Sequence, residues 1–177
     1  IDLADDAIHF SQQRGIDKLI KASLSELPCK DNYFDAIISV DVLYHQQVKD
    51  DVIALQELFR VLKKDGLLIL HLPAFEFLKG GHDDLVHTKR RYRSNEVKEK
   101  LKSAGFIVKK NTYRNFIFFF VAIILRSLIG KHETTEFKKL PPWINNIFIC
   151  LTYIDNFVLK VFNLPLGTSV YCIAIKS

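Results

Sequence analysis

Short unbroken apolar runs alternate along this chain with longer stretches in which apolar residues recur every three or four positions. Phe34 to Val40 and Leu67 to Leu72 are of the first kind, the pattern of strands buried on both faces of a sheet. Between them Val52, Leu55, Leu58, Phe59 and Leu62 recur at helical spacing, and Lys63-Lys64-Asp65-Gly66 closes that helix with a turn. Upstream, Ile1 to Leu3 reads as the tail of a strand, residues 5–14 suit a helix ended by Gly15, and Ile16 to Ala22 forms a short edge strand. Pro28 and Lys30-Asp31-Asn32 mark a loop. Downstream, Ser94 can cap a helix over 95–104 whose Val97, Leu101 and Ala104 share a face, with Gly105 as its stop. Phe106 to Thr112 and Ser169 to Ile175 complete the strands. This alternation predicts an α/β fold, a mainly parallel sheet covered by helices on both faces, with an antiparallel last strand at its edge.

An insert over roughly 114–166 breaks the alternation. Asn115 to Gly130 holds ten consecutive apolar residues, Phe116 to Leu125, and Trp143 to Leu164 is a second apolar helix interrupted by Asn145, Asn146, Asp155, Asn156 and Lys160. The unbroken runs fall short of the roughly 20 residues that span a bilayer, so a transmembrane hairpin is not expected. Two readings stay open: a helical cap packed on the sheet, and a pair of interfacial helices with aromatic faces flanked by Lys131, Lys138 and Lys139.

The 177 residues suffice for one domain with a sizeable core, and 49% apolar with 25% charged residues excludes a disordered chain. The formal charge of +5 is scattered through helices, which fits a solvated surface or one facing anionic lipid or substrate; no nucleic-acid partner is expected. Cys29, Cys150 and Cys172 lack metal-type spacing and predict reduced thiols in a cytoplasmic protein. The chain has no Met and opens inside an apparent strand, which reads as a fragment.

Polar residues that follow apolar strands are the candidates for chemistry, because strand ends present free backbone groups to a ligand. Asp2 can accept hydrogen bonds from ribose hydroxyls, though a solvated carboxylate accounts for it equally well. Ser23 and Leu24 can meet an adenine edge, and Asp41 and His45 follow the next strand. The segment 75–92 gathers His82, Asp83, Asp84, His87, Lys89, Arg90, Arg91 and Tyr92. Arg90 and Arg91 can clamp an acidic acceptor, His82 or His87 can act as a general base, and a loop pinned by ion pairs is the alternative. No metal is expected, since the spacing offers only one or two ligands.

Taken in order, Ile1-Asp2-Leu3-Ala4, Leu27-Pro28, Asp31-Asn32-Tyr33-Phe34-Asp35, Asp41-Val42-Leu43-Tyr44-His45, Glu57 to Gly66 and Ala104-Gly105-Phe106 resemble the class I S-adenosylmethionine-dependent methyltransferases, type 11 group. The segment His82 to Tyr92 and the ending Leu164 to Ser169 look like a bacterial subgroup acting on surface-glycan or lipid-linked acceptors. The resemblance covers residues 1–113 and the last strand. It implies a Rossmann-like sheet with S-adenosylmethionine across its carboxyl end, Asp2 on the ribose, Ser23 and Leu24 on the adenine, and Asp41, Val42 and Leu43 on the methionine side. His45 then stands near the transferred methyl group, with His82 or His87 as further candidate bases. Arg90, Arg91 and Tyr92 would meet a small-molecule or lipid-linked acceptor.

Two departures stand out. Ser23 replaces an acidic or polar residue, and the strand and GxGxG loop that cradle the methionine portion have no counterpart among the seven glycines. The expected unit is thus a single partial domain over 1–177. Its missing loop would lie about 20 residues ahead of Ile1, and its 114–166 insert would touch the inner face of the membrane. By itself such a chain is expected to be inactive and aggregation-prone. The competing reading is a non-catalytic module of the same fold that binds a partner or membrane through the insert.

Overall fold

A computed structural model describes residues 1–129 and 141–177. Lys131, Lys138 and Lys139 lie outside the described residues. Four strands, β1 (Phe34–Val40), β2 (Leu62–Pro73), β3 (Phe106–Arg114) and β4 (Ser169–Lys176), form one open sheet in the order β1-β2-β4-β3. β1 and β2 are parallel, and β4 runs antiparallel to both β2 and β3. Three strands therefore share one direction and the last is reversed. It lies inside the sheet, with β3 at the edge, which corrects the expected edge placement. Val170, Cys172 and Ala174 are buried along β4, and small side chains suit a strand hydrogen-bonded on both sides.

The crossover that makes β1 and β2 parallel is α2 (Asp51–Val61). Its N-cap is Asp50, whose carboxylate accepts from the N–H groups of Val52 (2.7 Å) and Ile53 (3.3 Å). Ala54, Leu55, Leu58 and Val61 form its buried face. The predicted turn after this helix lies within the start of β2. Asp65 takes a left-handed φ of 61°, the pairing register jumps between Phe34 and Ala36, and a Cβ on Gly66 would sit 2.7 Å from the Lys63 carbonyl oxygen. At the far end of the sheet, the Lys176 ammonium donates to the carbonyl of Phe59 (2.7 Å), where the α2 carbonyls gather negative charge.

α4 (Ser94–Ser103) packs on β3 through Val97 and Leu101. Ser94 lies in its first turn and not at the cap. Its hydroxyl instead accepts from the Asn111 amide (2.6 Å), joining the helix to β3. The insert forms α5 (Phe116–Ile129) and α6 (Pro142–Val161). The buried Asp155 carboxylate ties them together by accepting from the N–H groups of Asn115 (2.7 Å) and Phe116 (3.0 Å), at the start of α5. The Lys110 ammonium donates to the Leu159 carbonyl, and the Leu164 N–H to the Thr112 hydroxyl (2.8 Å).

Two further expectations fail. Ile1–Leu3 and Ile16–Ala22 are not strands; they meet only at a parallel bridge between Asp2 and Lys21, because α1 (Asp5–Gln13) begins two residues after Leu3. β1 is not buried on both faces: it is the outer strand of the described sheet, with Ile38 68% and Val40 53% exposed.

Candidate functional site

The exposed side of β1 opens onto a cleft of about 990 Å³, whose opposite wall is the Asp2–Lys21 bridge and the segment 17–24. Asp2, Ser23 and Leu24 line that wall, and Asp41, Val42 and His45 line the end of the β1 wall. Asp2 accepts from the Ala4 N–H (3.0 Å) and is otherwise exposed to the cleft. Asp41 ends β1 in a left-handed turn (φ 56°), a conformation that Asp tolerates better than most residues. Its N–H donates to the His71 carbonyl (3.0 Å). Leu43 does not reach the cleft. It is 3% exposed within the core, and its carbonyl accepts from the Tyr92 hydroxyl (3.2 Å).

The histidines differ in what they can do. His45 Nδ1 accepts from the Gln47 N–H at 3.2 Å, so its neutral ring carries the proton on Nε2 and offers a donor to the cleft. Its ring meets that of His87 edge-on at 5.8 Å, and the backbones of His45 and Thr88 are bridged. His87 thereby backs His45, whereas His82 sits on α3 (Gly81–Leu85); neither lines the cleft.

Arg90, Arg91 and Tyr92 do not line it either. Arg91 forms a two-point pair with the buried Asp83 (2.9 and 3.0 Å) and donates to the Ala74 carbonyl (3.1 Å). Arg90 pairs with Glu96 and Asp51 and covers the Tyr92 ring at 4.7 Å. Tyr92 is 1% exposed and donates to Asp51 at 2.9 Å. The acceptor clamp expected from these three is a scaffold, because each has a partner inside the fold. Burial pushes the Tyr92 hydroxyl well above its ordinary range, and Asp51 beside it adds to the shift. Burial alone would raise Asp83, but Arg91, the Gly80 N–H and Thr88 outweigh it and hold the carboxyl below the ordinary range. The segment 75–92 is cross-braced in this way and holds a short 3₁₀ turn and α3.

Two groups escaped the sequence reading. His71, opposite Val40 in the β1–β2 ladder, places Nδ1 3.2 Å from Asp41 Oδ1. Asp41 therefore holds the Nδ1 proton and leaves Nε2 as the basic nitrogen. The one signal for it was an imidazole within the apolar run LLILHL. Tyr44 is raised above its ordinary range, first by burial and then by Asp41 and Asp83.

The fold and sequence match known proteins. Residues 1–70 match the methyltransferase domain family. The mouse protein (Mus musculus) named probable tRNA methyltransferase 9B is 34% identical over 76 residues, which cover 42% of this chain and 17% of that protein. The chain thus spans about a sixth of that relative. Among solved structures, a S-adenosylmethionine-dependent methyltransferase of Thermotoga maritima, a possible histamine N-methyltransferase, superposes over 99% of this chain and 70% of its own, with TM-score 0.63 and 22% identity. Phosphoethanolamine N-methyltransferase 2 of Haemonchus contortus, in complex with S-adenosyl-L-methionine, matches 87% of this chain and 36% of its own, with TM-score 0.51 and 17% identity.

Proposed function

We propose that this chain, whose residues 1–70 match the methyltransferase domain family, is a class I S-adenosylmethionine-dependent methyltransferase of the type 11 group that methylates a small or lipid- or glycan-linked acceptor in the cytoplasm. The observation that carries this reading is the pair of carboxylates, Asp2 and Asp41, on opposite walls of one cleft at the carboxyl end of β1. These walls suit the cofactor: Asp2 for ribose hydroxyls, Ser23 and Leu24 for the adenine, and Asp41 and Val42 for the methionine amine. When bound, S-adenosylmethionine supplies an electrophilic methyl group on a sulfonium. The chain's own part is to align the acceptor and, for a hydroxyl acceptor, to take its proton. His45 lines the cleft, but its Nδ1 already accepts a backbone hydrogen bond; His71, oriented by Asp41, keeps Nε2 as its accepting nitrogen, and of that pair Asp41 is the member that lines the cleft.

The reading includes a further strand and a glycine-rich loop from polypeptide outside residues 1–177. Its support is the free edge of β1, with no ladder partner on the cleft side among the described residues, and the absence of any described glycine from the cleft lining. One observation favours a second acceptor class: the relative matched at 34% identity bears the name of a tRNA methyltransferase. A non-catalytic module of the same fold is the competing reading. Calorimetry of the natural full-length protein with S-adenosylmethionine tests the proposal, with and without Asp2→Ala. Micromolar binding that the variant abolishes is expected, and no binding by the wild type sinks it. Methyl transfer from labelled cofactor to a lipid extract, and not to tRNA, then separates the acceptor classes.

A further inference from the structure

We infer that the outer face of α6 seats this protein on an anionic phospholipid surface. Trp143, Ile147, Cys150, Ile154, Phe157 and Val161 follow one another at alternating spacings of four and three, so they form one stripe along the helix. All six are exposed, Trp143 by 65%, Phe157 by 69% and Val161 by 67%. A contiguous apolar stripe as long as a 20-residue helix is more than a monomeric soluble protein ordinarily leaves in water. Tyr153, Asn156 and Lys160 border it on one side, the arrangement of a helix lying in a bilayer interface with its polar edge wet.

The charge identifies the partner. The described residues of 109–163 carry five Lys or Arg (Lys109, Lys110, Arg114, Arg126 and Lys160) against one carboxylate. That carboxylate, Asp155, is buried in the fold. This surplus is most of the +5 of the entire chain, so the positive charge is concentrated in the segment that also carries the apolar stripe. Anionic lipid headgroups attract such a segment. A second copy of this chain would present the same positive segment to itself and be repelled.

α6 is long and apolar enough to cross a bilayer, but its inner face is committed. Asp155 caps α5, the Leu159 carbonyl accepts from Lys110, and the Phe148 ring meets Phe118 edge-on at 5.3 Å. The helix therefore lies on the membrane and does not span it.

Trp143 is the only tryptophan of the chain, so its emission reports the contact directly. The full chain is titrated with vesicles of phosphatidylcholine alone and with phosphatidylglycerol added. The expected result is a blue shift with the anionic vesicles, quenched by brominated acyl chains and reduced by salt. Phe157→Ser should weaken partitioning roughly tenfold or more, and Phe157→Leu should restore it. The inference is overturned by unchanged emission with anionic vesicles, by equal partitioning to both vesicle types, or by a lipid-free shift that tracks dimer formation in sedimentation.

Discussion

Asp155 is the residue on which the attachment of α5 and α6 to the sheet can be tested. Its carboxylate is 4% exposed and accepts from two N–H groups at the start of α5, which have no partner within the helix. A hydrogen bond to a charged group contributes about 1.5–3 kcal/mol, and a carboxylate at a helix N-terminus gains up to a further ~1 kcal/mol. Against this stands the desolvation of the carboxylate, which alanine does not incur. The net cost of Asp155→Ala is then about 2–4 kcal/mol. Asp155→Asn keeps the shape and one accepting oxygen and should cost roughly half as much. Urea unfolding followed by far-UV circular dichroism reads both. With a slope near 2 kcal/mol per M, the alanine midpoint falls by about 1–2 M. Limited proteolysis should cut Asp155→Ala within 114–166 before the sheet, since local opening then lies well below global unfolding. A midpoint within ~0.25 M of wild type, or equal losses for the two variants, would refute the capping argument.

Three further outcomes follow from single observations. Arg91→Gln leaves the buried Asp83 without its two-point partner and should cost about 3 kcal/mol at neutral pH. In the wild type the depressed Asp83 contributes stability in full above its unfolded value, near pH 4, and loses it as pH falls through the lower folded value; the variant should lose that acid limb in stability measured against pH. Gly167→Ala would bring a Cβ to 2.1 Å from the Arg114 carbonyl oxygen, a backbone atom that cannot turn aside, so expression as soluble protein should fall sharply; wild-type yield and melting would disprove the close approach. Ile38→Lys, on the exposed edge strand, should lower light scattering at high concentration while changing the unfolding free energy by less than ~0.5 kcal/mol.

The fold was legible wherever burial is periodic. The α2 face and the β2 run stand where spacing places them, because each buries an apolar stripe within the chain; the two insert helices form where their apolar runs lie, although α6 buries only Asp155 and Leu159. Legibility failed where burial depends on a partner. The run Phe34 to Val40 has the composition of a two-sided interior strand, yet Ile38 and Val40 are exposed and Ile38 lines the cleft. A sequence records what a strand is suited to contact, and β1 is suited to a neighbour on each side. Ser94 shows a subtler limit: a serine before a helical pattern is a good cap by type. Here the Asn111 amide, 17 residues away in sequence, binds its hydroxyl.

The candidate site was legible at the strand ends and not in the segment 82–92, and the difference is physical. A carboxylate after an apolar strand is set by the backbone it ends, so Asp41 could be placed from pattern alone, whereas Asp2 lines the cleft from a single bridge and not from a strand end. A cluster of Arg, His, Asp and Tyr is ambiguous, since the groups that would clamp an anion also satisfy one another. Here Asp83 and Asp51 supply the anions, and Arg90 and Arg91 are consumed by them. The cluster still reaches the site, but through Tyr92, whose hydroxyl lies against the Leu43 carbonyl and Asp51 together. Leu43 follows Asp41 by two residues, and Asp41 sets the His71 ring. The ion-paired loop therefore acts as a positioning frame for the Asp41–His71 pair, and damage to Arg90 or Asp51 would be felt at the cleft as misplacement and not as a lost contact.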